Sequence, residues 1–389
     1  MSPLSRRATA ALSAVSAALV LACGALVLVA TPAAAEGPIG GPRLAEPGVV
    51  WDGATAPPPD VAETFVLADA STGAILAAKA AHTPRPPAST LKSLTALTLL
   101  PRLSPEAVYT AVYEDAAQEG SKAGMIVGAP YTVTDLFHGM LLPSGNDAAH
   151  GLGNANGGVP QTVEQMNDEA RRIQALDTVA VNTSGLDAPG QLSSAYDLAL
   201  IARAGLSRPD FRALVSLKSA DFPGAPTADG SPRPTFKIYT QNKLLIDGYP
   251  GAVGVKTGYT TQAGRTYIGA AERDGRLLVV SMMGVTGKTE PSAAALLDWG
   301  FAQAAAAQPV GTLVGPAKPA KAGKPSASAS ASPSTAAAAA PATVLPAEPA
   351  AAGGRPGWAL AAGAALVAAG VLLVGFGLVR DRRSPLRHR

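Results

Sequence analysis

A single cysteine, Cys23, excludes an intrachain disulfide framework and any cysteine-based metal cluster. Histidine is nearly as scarce, and the four present, His82, His138, His150 and His388, form no ligand pattern. Charge is also modest: the net value is +3 over 389 residues, and the arginine-rich part sits at the extreme C-terminus, so a nucleic-acid surface has no support. No internal repeat is visible. What the chain has in excess is alanine and proline, concentrated at its two ends. Between them, from Val61 to Ala305, runs the mixed aliphatic, charged and glycine-punctuated texture of a globular domain.

The ends read as processing and anchoring segments. Arg6 and Arg7 precede an apolar run, and Ala33-Ala34-Ala35 offers a small-residue cleavage site, so residues 1–35 are expected to be a signal peptide. Cys23 follows Val20-Leu21-Ala22, only a loose likeness to a lipoprotein cleavage box, because apolar sequence continues beyond it. Residues 36–60 are expected to be a disordered N-terminal segment and 61–305 the folded domain. Residues 306–357, rich in alanine, proline and serine, lack the large apolar groups that would offset ordering entropy and read as a disordered linker. "WALAAGAALVAAGVLLVGFGLV" at 358–379 is uncharged and long enough to span a bilayer as a helix. The basic tail 380–389 places its following end in the cytoplasm by the positive-inside rule. The expected topology is a single-pass cell-membrane protein with the domain outside and the C-terminus inside.

Within the domain, "TFVLADASTGAILAAKA" reads as a hairpin about Ser71-Thr72-Gly73. "PPASTLKSLTALTLL" switches to helical spacing between prolines. "TVTDLFHGMLLPSGNDAAHGLG", "TVEQMNDEARRIQAL", capped by Thr162, and "SSAYDLALIARAGL", capped by Ser193 or Ser194, continue as helices. "GAVGVKTGYT", "GRTYIGAAE" and "RLLVVSMMGV" return to strand character, the last two joined by Arg273-Asp274-Gly275, and "PSAAALLDWGFAQA" closes as a helix. That order argues an α/β (α+β) unit with an antiparallel sheet against helices.

Three short motifs carry chemistry. Ser89 and Lys92 are three apart, which on a helix puts both on one face, with a helix start beneath Ser89. Lys92 can act as a base only when neutral, which needs burial or a neighbouring positive charge. Alone, the pair reads more readily as a capping serine and a solvated lysine. "PSGN" places Ser144 two residues from Asn146, a hydroxyl able to relay a proton beside an amide able to hold a carbonyl; alone it is an ordinary turn. Lys256, Thr257 and Gly258 lie in an expected strand, where the first two can bind a carboxylate and the glycine admits a ligand backbone to the strand edge. All three in this order, each in a fitting element, outweigh the parts.

With these motifs the sequence resembles the penicillin-recognising serine D-alanyl-D-alanine carboxypeptidases, the low-molecular-mass penicillin-binding proteins of peptidase family S11. The likeness runs from about Phe65 to Gly284 and includes "PPASTLKSLTA", "SGNDAAHGL", "VEQMNDEAR", "NTSGLDAPGQLSSAYDLALIAR", "QNKLL" and "GVKTGYTTQAG". It implies a β-lactamase/transpeptidase-like fold, with a five-stranded antiparallel sheet flanked by helices and a helical cluster. It also implies Ser89 as the acylated nucleophile, Lys92 as its base and Ser144 as the proton relay. Asn146 would bind the substrate amide, Lys256 and Thr257 the terminal carboxylate, and the N–H groups of Ser89 and Tyr259 the oxyanion. Lys256 would help keep Lys92 neutral, while Asp187 and Tyr196 are read as structural. The implied substrate is a peptidoglycan stem peptide ending in D-Ala-D-Ala, with β-lactams as inhibitors and no metal or other cofactor.

The β-rich second domain of many family members has no counterpart in the sequence and is expected to be missing. A class A β-lactamase shares the motifs but needs a deacylating glutamate in a Glu-x-x-x-Asn pattern. Here Glu164 is followed by Asp168 and Glu169 by Ile173 at that position. A membrane-tethered penicillin- or wall-binding module with little turnover is the other alternative, and the intact triplet argues against it.

Overall fold

The runs that alternate in the sequence assemble as a single main sheet. A computed structural model of the protein describes residues 37–229, 231–303 and 305–317. Its strands are β1 (Val49–Val50), β2 (Ala62–Asp69), β3 (Ala74–Lys79), β4 (Val108–Thr110), β5 (Pro130–Thr132), β6 (Ser219–Pro223), β7 (Thr235–Tyr239), β8 (Ala252–Thr260), β9 (Gly264–Arg273), β10 (Arg276–Val285) and β11 (Gly311–Thr312). Its helices are α1 (Lys92–Leu99), α2 (Tyr113–Ala116), α3 (Val133–Leu141), α4 (Asn146–Ala155), α5 (Val159–Arg172), α6 (Ala195–Leu206), α7 (Pro209–Val215), α8 (Lys243–Ile246) and α9 (Thr289–Gln303).

The sheet is antiparallel in the order β1-β3-β2-β10-β9-β8, with β11 also on β3. The five strands expected are the five long ones. Two strands of two residues bring the total to seven, with Val49 opposite Lys79 and Gly311 opposite Ile75 on the outer edge of β3. Two residues are too few to show a period, so neither was legible. The same is true of the small hairpins β4–β5 and β6–β7.

Two expected boundaries are corrected by this edge. Part of the segment read as disordered, 36–60, is packed: Leu44 and Val50 are buried, and Trp299 Nε1 donates to the Ala56 carbonyl at 2.8 Å. The start of the expected linker is packed too, with Val310 and Leu313 buried and Leu313 N donating to the Gly73 carbonyl at 2.7 Å. An uncovered outer edge of β3 would leave backbone donors and acceptors unpaired, and the two segments cover it. The expected signal peptide, the rest of the linker, the membrane helix at 358–379 and the basic tail lie outside the described residues. Among the described residues no helix is long and apolar enough to cross a membrane.

Period two sorts the core onto both faces of the sheet. Phe65 and Leu67 of β2, with Leu278, Val280 and Met282 of β10, pack with Leu296 and Leu297 of α9. The intervening Val66, Ala68, Val279 and Met283 face the other cluster, which holds α1 and α6. Helices on both faces make the middle strands continuous apolar runs. Ser194 is the cap of α6, its hydroxyl accepting from Asp197 N at 3.1 Å. Thr162, by contrast, does not cap α5. That helix starts four residues earlier, after Gly158 with Pro160 in its first turn, and Thr162 Oγ1 donates back to the Gly153 carbonyl at 3.0 Å.

A half-buried titratable cluster ties the N-terminal segment to the body. His82 Nδ1 lies 2.7 Å from Asp177 Oδ2 and its Nε2 lies 2.9 Å from the Ile39 carbonyl, so both ring nitrogens face acceptors. Burial works against the imidazolium, but the hydrogen bond and charge of Asp177 outweigh it and raise His82 above its ordinary 6.5. Asp197 sits beside them with Oδ1 unpartnered, and burial pushes its carboxyl up to about 7. Stability supplied by the His82 proton is lost as pH climbs from 6.5 through the raised value. Ionising Asp197 likewise costs stability as pH rises from its ordinary 3.8 to about 7. Asp197→Asn is therefore expected to gain several degrees in melting temperature over the parent between pH 5 and pH 8, by paired thermal melts. A difference that stays constant with pH would refute the assignment.

Candidate active site

Ser89 lies in a 3-10 turn, Ala88–Leu91, that runs directly into α1. The turn is pinned through the Pro87 carbonyl, which accepts from Thr90 Oγ1 at 2.6 Å and from Thr266 Oγ1 of β9 at 2.8 Å. Ala88, fully buried just before Ser89, has φ 49, a left-handed conformation that costs a non-glycine residue on the order of 1 kcal/mol or more. Gly185 closes over it. A Cβ there would stand 1.9 Å from the Ala88 carbonyl oxygen, and with φ 86 the position accepts only glycine without strain.

Lys92 Nζ lies 2.9 Å from Ser89 Oγ and donates to Asn146 Oδ1 at 2.6 Å and to the Ser184 carbonyl at 2.7 Å. Its side chain is completely buried. Burial first, then the charge of Lys256, hold its amine well below the ordinary lysine range against a smaller opposing pull from Asp147. A neutral amine has two protons and one lone pair. Two protons match Asn146 and Ser184, and the lone pair is left facing the Ser89 hydroxyl.

Lys256 is 2 % exposed on β8, the free edge of the sheet, and its Nζ donates to the Thr257 carbonyl at 2.9 Å. Burial lowers its amine to about 7, and its charge is the second cause of the depressed Lys92 amine. Thr257 is half-buried with its hydroxyl uncommitted. Gly258 presses on the nucleophile turn: a Cβ there would lie 2.3 Å from Thr266 Oγ1 and 2.9 Å from Ser89 N. Tyr259 is 64 % exposed, with the Arg265 guanidinium 5.8 Å from its ring centroid on the paired strand.

The second motif arrives from the start of α4. Ser144 is 2 % exposed with φ 67, and its hydroxyl hydrogen-bonds neither Ser89, Lys92 nor Lys256. Asn146 is more committed than the sequence implied. Its Oδ1 is taken by Lys92 and one proton of Nδ2 by the Glu119 carbonyl at 2.6 Å, so a single N–H remains for a substrate amide. The structure thus brings Ser89, Lys92 and Asn146 into one hydrogen-bonded group, with Lys256 close enough to depress Lys92. Ser144 and Thr257 are in place without bonds to that group.

Two contributors were not singled out by the sequence. The Ser184 carbonyl, third contact of Lys92, is aimed by Asn182, whose Oδ1 accepts from Ser184 N at 3.1 Å and Gly185 N at 2.8 Å. Asp147, fully buried, accepts from the backbone of Ala123, Gly124, Met125 and Ala148 at 2.8 to 3.0 Å and so shapes the loop that holds Asn146. Asp187 accepts from Thr260 Oγ1 at 2.9 Å and Tyr196 OH donates to the Thr312 carbonyl at 2.9 Å. Glu164 and Glu169 both ride on α5, where Glu169 is held by Arg172 at 2.6 and 2.7 Å, and neither bonds a residue of the site. Among the described residues no cluster of histidine, cysteine or carboxylate side chains is arranged to hold a metal ion.

A model of the D-alanyl-D-alanine carboxypeptidase family matches residues 53–287. The D-alanyl-D-alanine carboxypeptidase DacB2 of Mycobacterium tuberculosis is 41 % identical over 256 residues, covering 64 % of this chain and 85 % of that protein. A crystal structure of D-alanyl-D-alanine carboxypeptidase from the same organism superposes with TM-score 0.62 at 39 % identity, over 69 % of this chain and all of that one. The DD-transpeptidase of Streptomyces K15 superposes with TM-score 0.60 at 30 % identity, over 64 % of this chain and all of that one.

Proposed function

Since the chain belongs to the D-alanyl-D-alanine carboxypeptidase family and is a serine DD-carboxypeptidase, we propose that Ser89 is the residue it acylates and Lys92 the base that activates it. The observation that carries the reading is the Lys92 amine, buried beside Lys256 and within 2.9 Å of Ser89 Oγ. In acylation the Ser89 hydroxyl proton passes to Lys92 Nζ as Oγ attacks the carbonyl carbon of the penultimate D-alanine. The oxyanion that forms is met by the backbone N–H groups of Ser89 and Tyr259. Collapse breaks the peptide bond, and the departing D-alanine amine takes a proton through Ser144, whose uncommitted hydroxyl suits a relay. Water then attacks the ester and restores Ser89.

Lys256 and Thr257 hold the terminal carboxylate of the stem peptide. The positive charge of Lys256 supplies the Coulomb attraction and Thr257 a hydroxyl donor, while Gly258 lets the peptide backbone approach the β8 edge. β-Lactams acylate the same serine. The uncharged segment 358–379 and the arginines after it support a single-pass anchor, with the signal peptide 1–35 removed and the catalytic domain outside the membrane. The test is D-alanine release from a pentapeptide together with fluorescent-penicillin labelling. Labelling without release would sink the carboxypeptidase turnover, and rapid penicillin hydrolysis would point to a lactamase.

Lys256→Ala is expected to slow acylation by about 10- to 100-fold, the loss of one charged hydrogen bond to the carboxylate. It should also move the acid limb of the acylation pH profile upward, because Lys92 loses the like charge that depresses it. An unchanged rate and profile would remove Lys256 from both roles.

A further inference from the structure

At the far end of the nucleophile helix lies a cavity of about 1000 Å³ that the catalytic reading does not use. Leu97, Pro101 and Arg102 reach it from the C-terminal end of α1, and the helix, about 12 Å long, separates it from Lys92. Four guanidiniums line it, those of Arg102, Arg172, Arg203 and Arg208, against one carboxylate, Glu169. Arg172 is neutralised by Glu169 and Arg208 by Asp210 at 2.6 Å. The other two have only backbone carbonyls as partners: Thr98 for Arg102, and Ala70, Leu313 and Ser71 for Arg203.

Helix ends account for part of this. α1, α5 and α6 all finish at the cavity, and a helix C-terminus carries roughly −0.5 charge. Those partial charges are spread over carbonyls already bonded, whereas each guanidinium is a full charge with donors to spare in a fork that fits phosphate oxygens. The remaining wall is apolar: Pro101, Val314 and Pro316 present accessible surface over the buried Leu97, Ile173, Leu200 and Leu206.

We propose that this cavity is a second binding site, for an amphiphilic phosphate anion whose phosphate is gripped by Arg102 at the rim with Arg203 behind it and whose apolar chain lies on the wall of Pro101, Val314 and Pro316. Arg203 closes the floor and joins the β2–β3 turn to the C-terminal segment, so it is left intact in the test. Calorimetric titration of the full chain in non-ionic detergent uses short-chain phosphatidylglycerol as probe, with glycerol phosphate and short-chain phosphatidylcholine as the other arms. Partition into the micelle is common to parent and variants and cancels.

Saturable binding of phosphatidylglycerol is expected, weakened about tenfold in Arg102→Gln, which removes the rim guanidinium that no carboxylate neutralises. Binding should tighten roughly two- to fivefold in Glu169→Gln, where the one lining carboxylate among the described residues is removed, a gain that misfolding cannot imitate. Penicillin acylation of both variants at the parent rate shows that they are folded. Absence of saturable binding, or affinities that neither substitution moves, would overturn the site. Equal binding of glycerol phosphate would overturn the apolar half of the assignment, and equal binding of phosphatidylcholine the anionic half.

Discussion

Ser89→Ala is expected to abolish fluorescent-penicillin labelling and to lower D-alanine release by roughly 10⁴-fold or more, while the melting temperature stays near that of the parent. The loss is total for labelling because no ester can form without Oγ. The fold is spared for a reason visible in the site. With Ser89 Oγ gone, the two protons of a neutral Lys92 still meet Asn146 Oδ1 and the Ser184 carbonyl, so no buried donor is stranded. Labelling that persists on another residue would show the nucleophile to be misassigned.

Lys92→Ala is expected to lower acylation by about 10²- to 10⁴-fold, the usual contribution of a positioned base. Unlike the serine change it should also destabilise the fold. Asn146 Oδ1 and the Ser184 carbonyl lose their buried donor, at about 1–3 kcal/mol for each unsatisfied group. The pH profile of the parent distinguishes a base from a structural lysine. A lysine acts as base above its folded pKa, so acylation should rise with pH along a limb far below the ordinary lysine value of 10.5, because burial and Lys256 depress it. A limb near 10 would mean that Lys92 rests as an ammonium and that another group takes the proton.

The parts of this site legible in the sequence are the ones encoded locally. "PPASTLK" specifies a proline-led helical turn with Ser89 and Lys92 on one face, and that spacing survives as a 2.9 Å contact. The β2–β3 and β9–β10 hairpins were legible because period two and their turn residues are short-range signals; Asp274 and Gly275 both adopt positive φ. Thr162 misled because a threonine before acidic residues looks like a cap, while Gly158 and Pro160 had already started the helix. Strands β1 and β11 escaped because a two-residue pairing is decided by the edge that needs covering.

By itself, then, the sequence determined which segments turn, which faces of strands and helices are apolar, and that a serine, a lysine and a Lys-Thr-Gly strand belong to one family's chemistry. The tertiary structure decided what those groups are electrically. Whether Lys92 is neutral depends on its burial and on Lys256, which only folding carries from β8 to the nucleophile turn. Whether Asn146 is free for substrate depends on the Glu119 carbonyl and on Lys92. Whether the ends of residues 36–60 and 306–357 nearest the domain are ordered depends on the open edge of β3. A local pattern can specify backbone conformation, but desolvation and charge act through space, and their partners are distant in sequence.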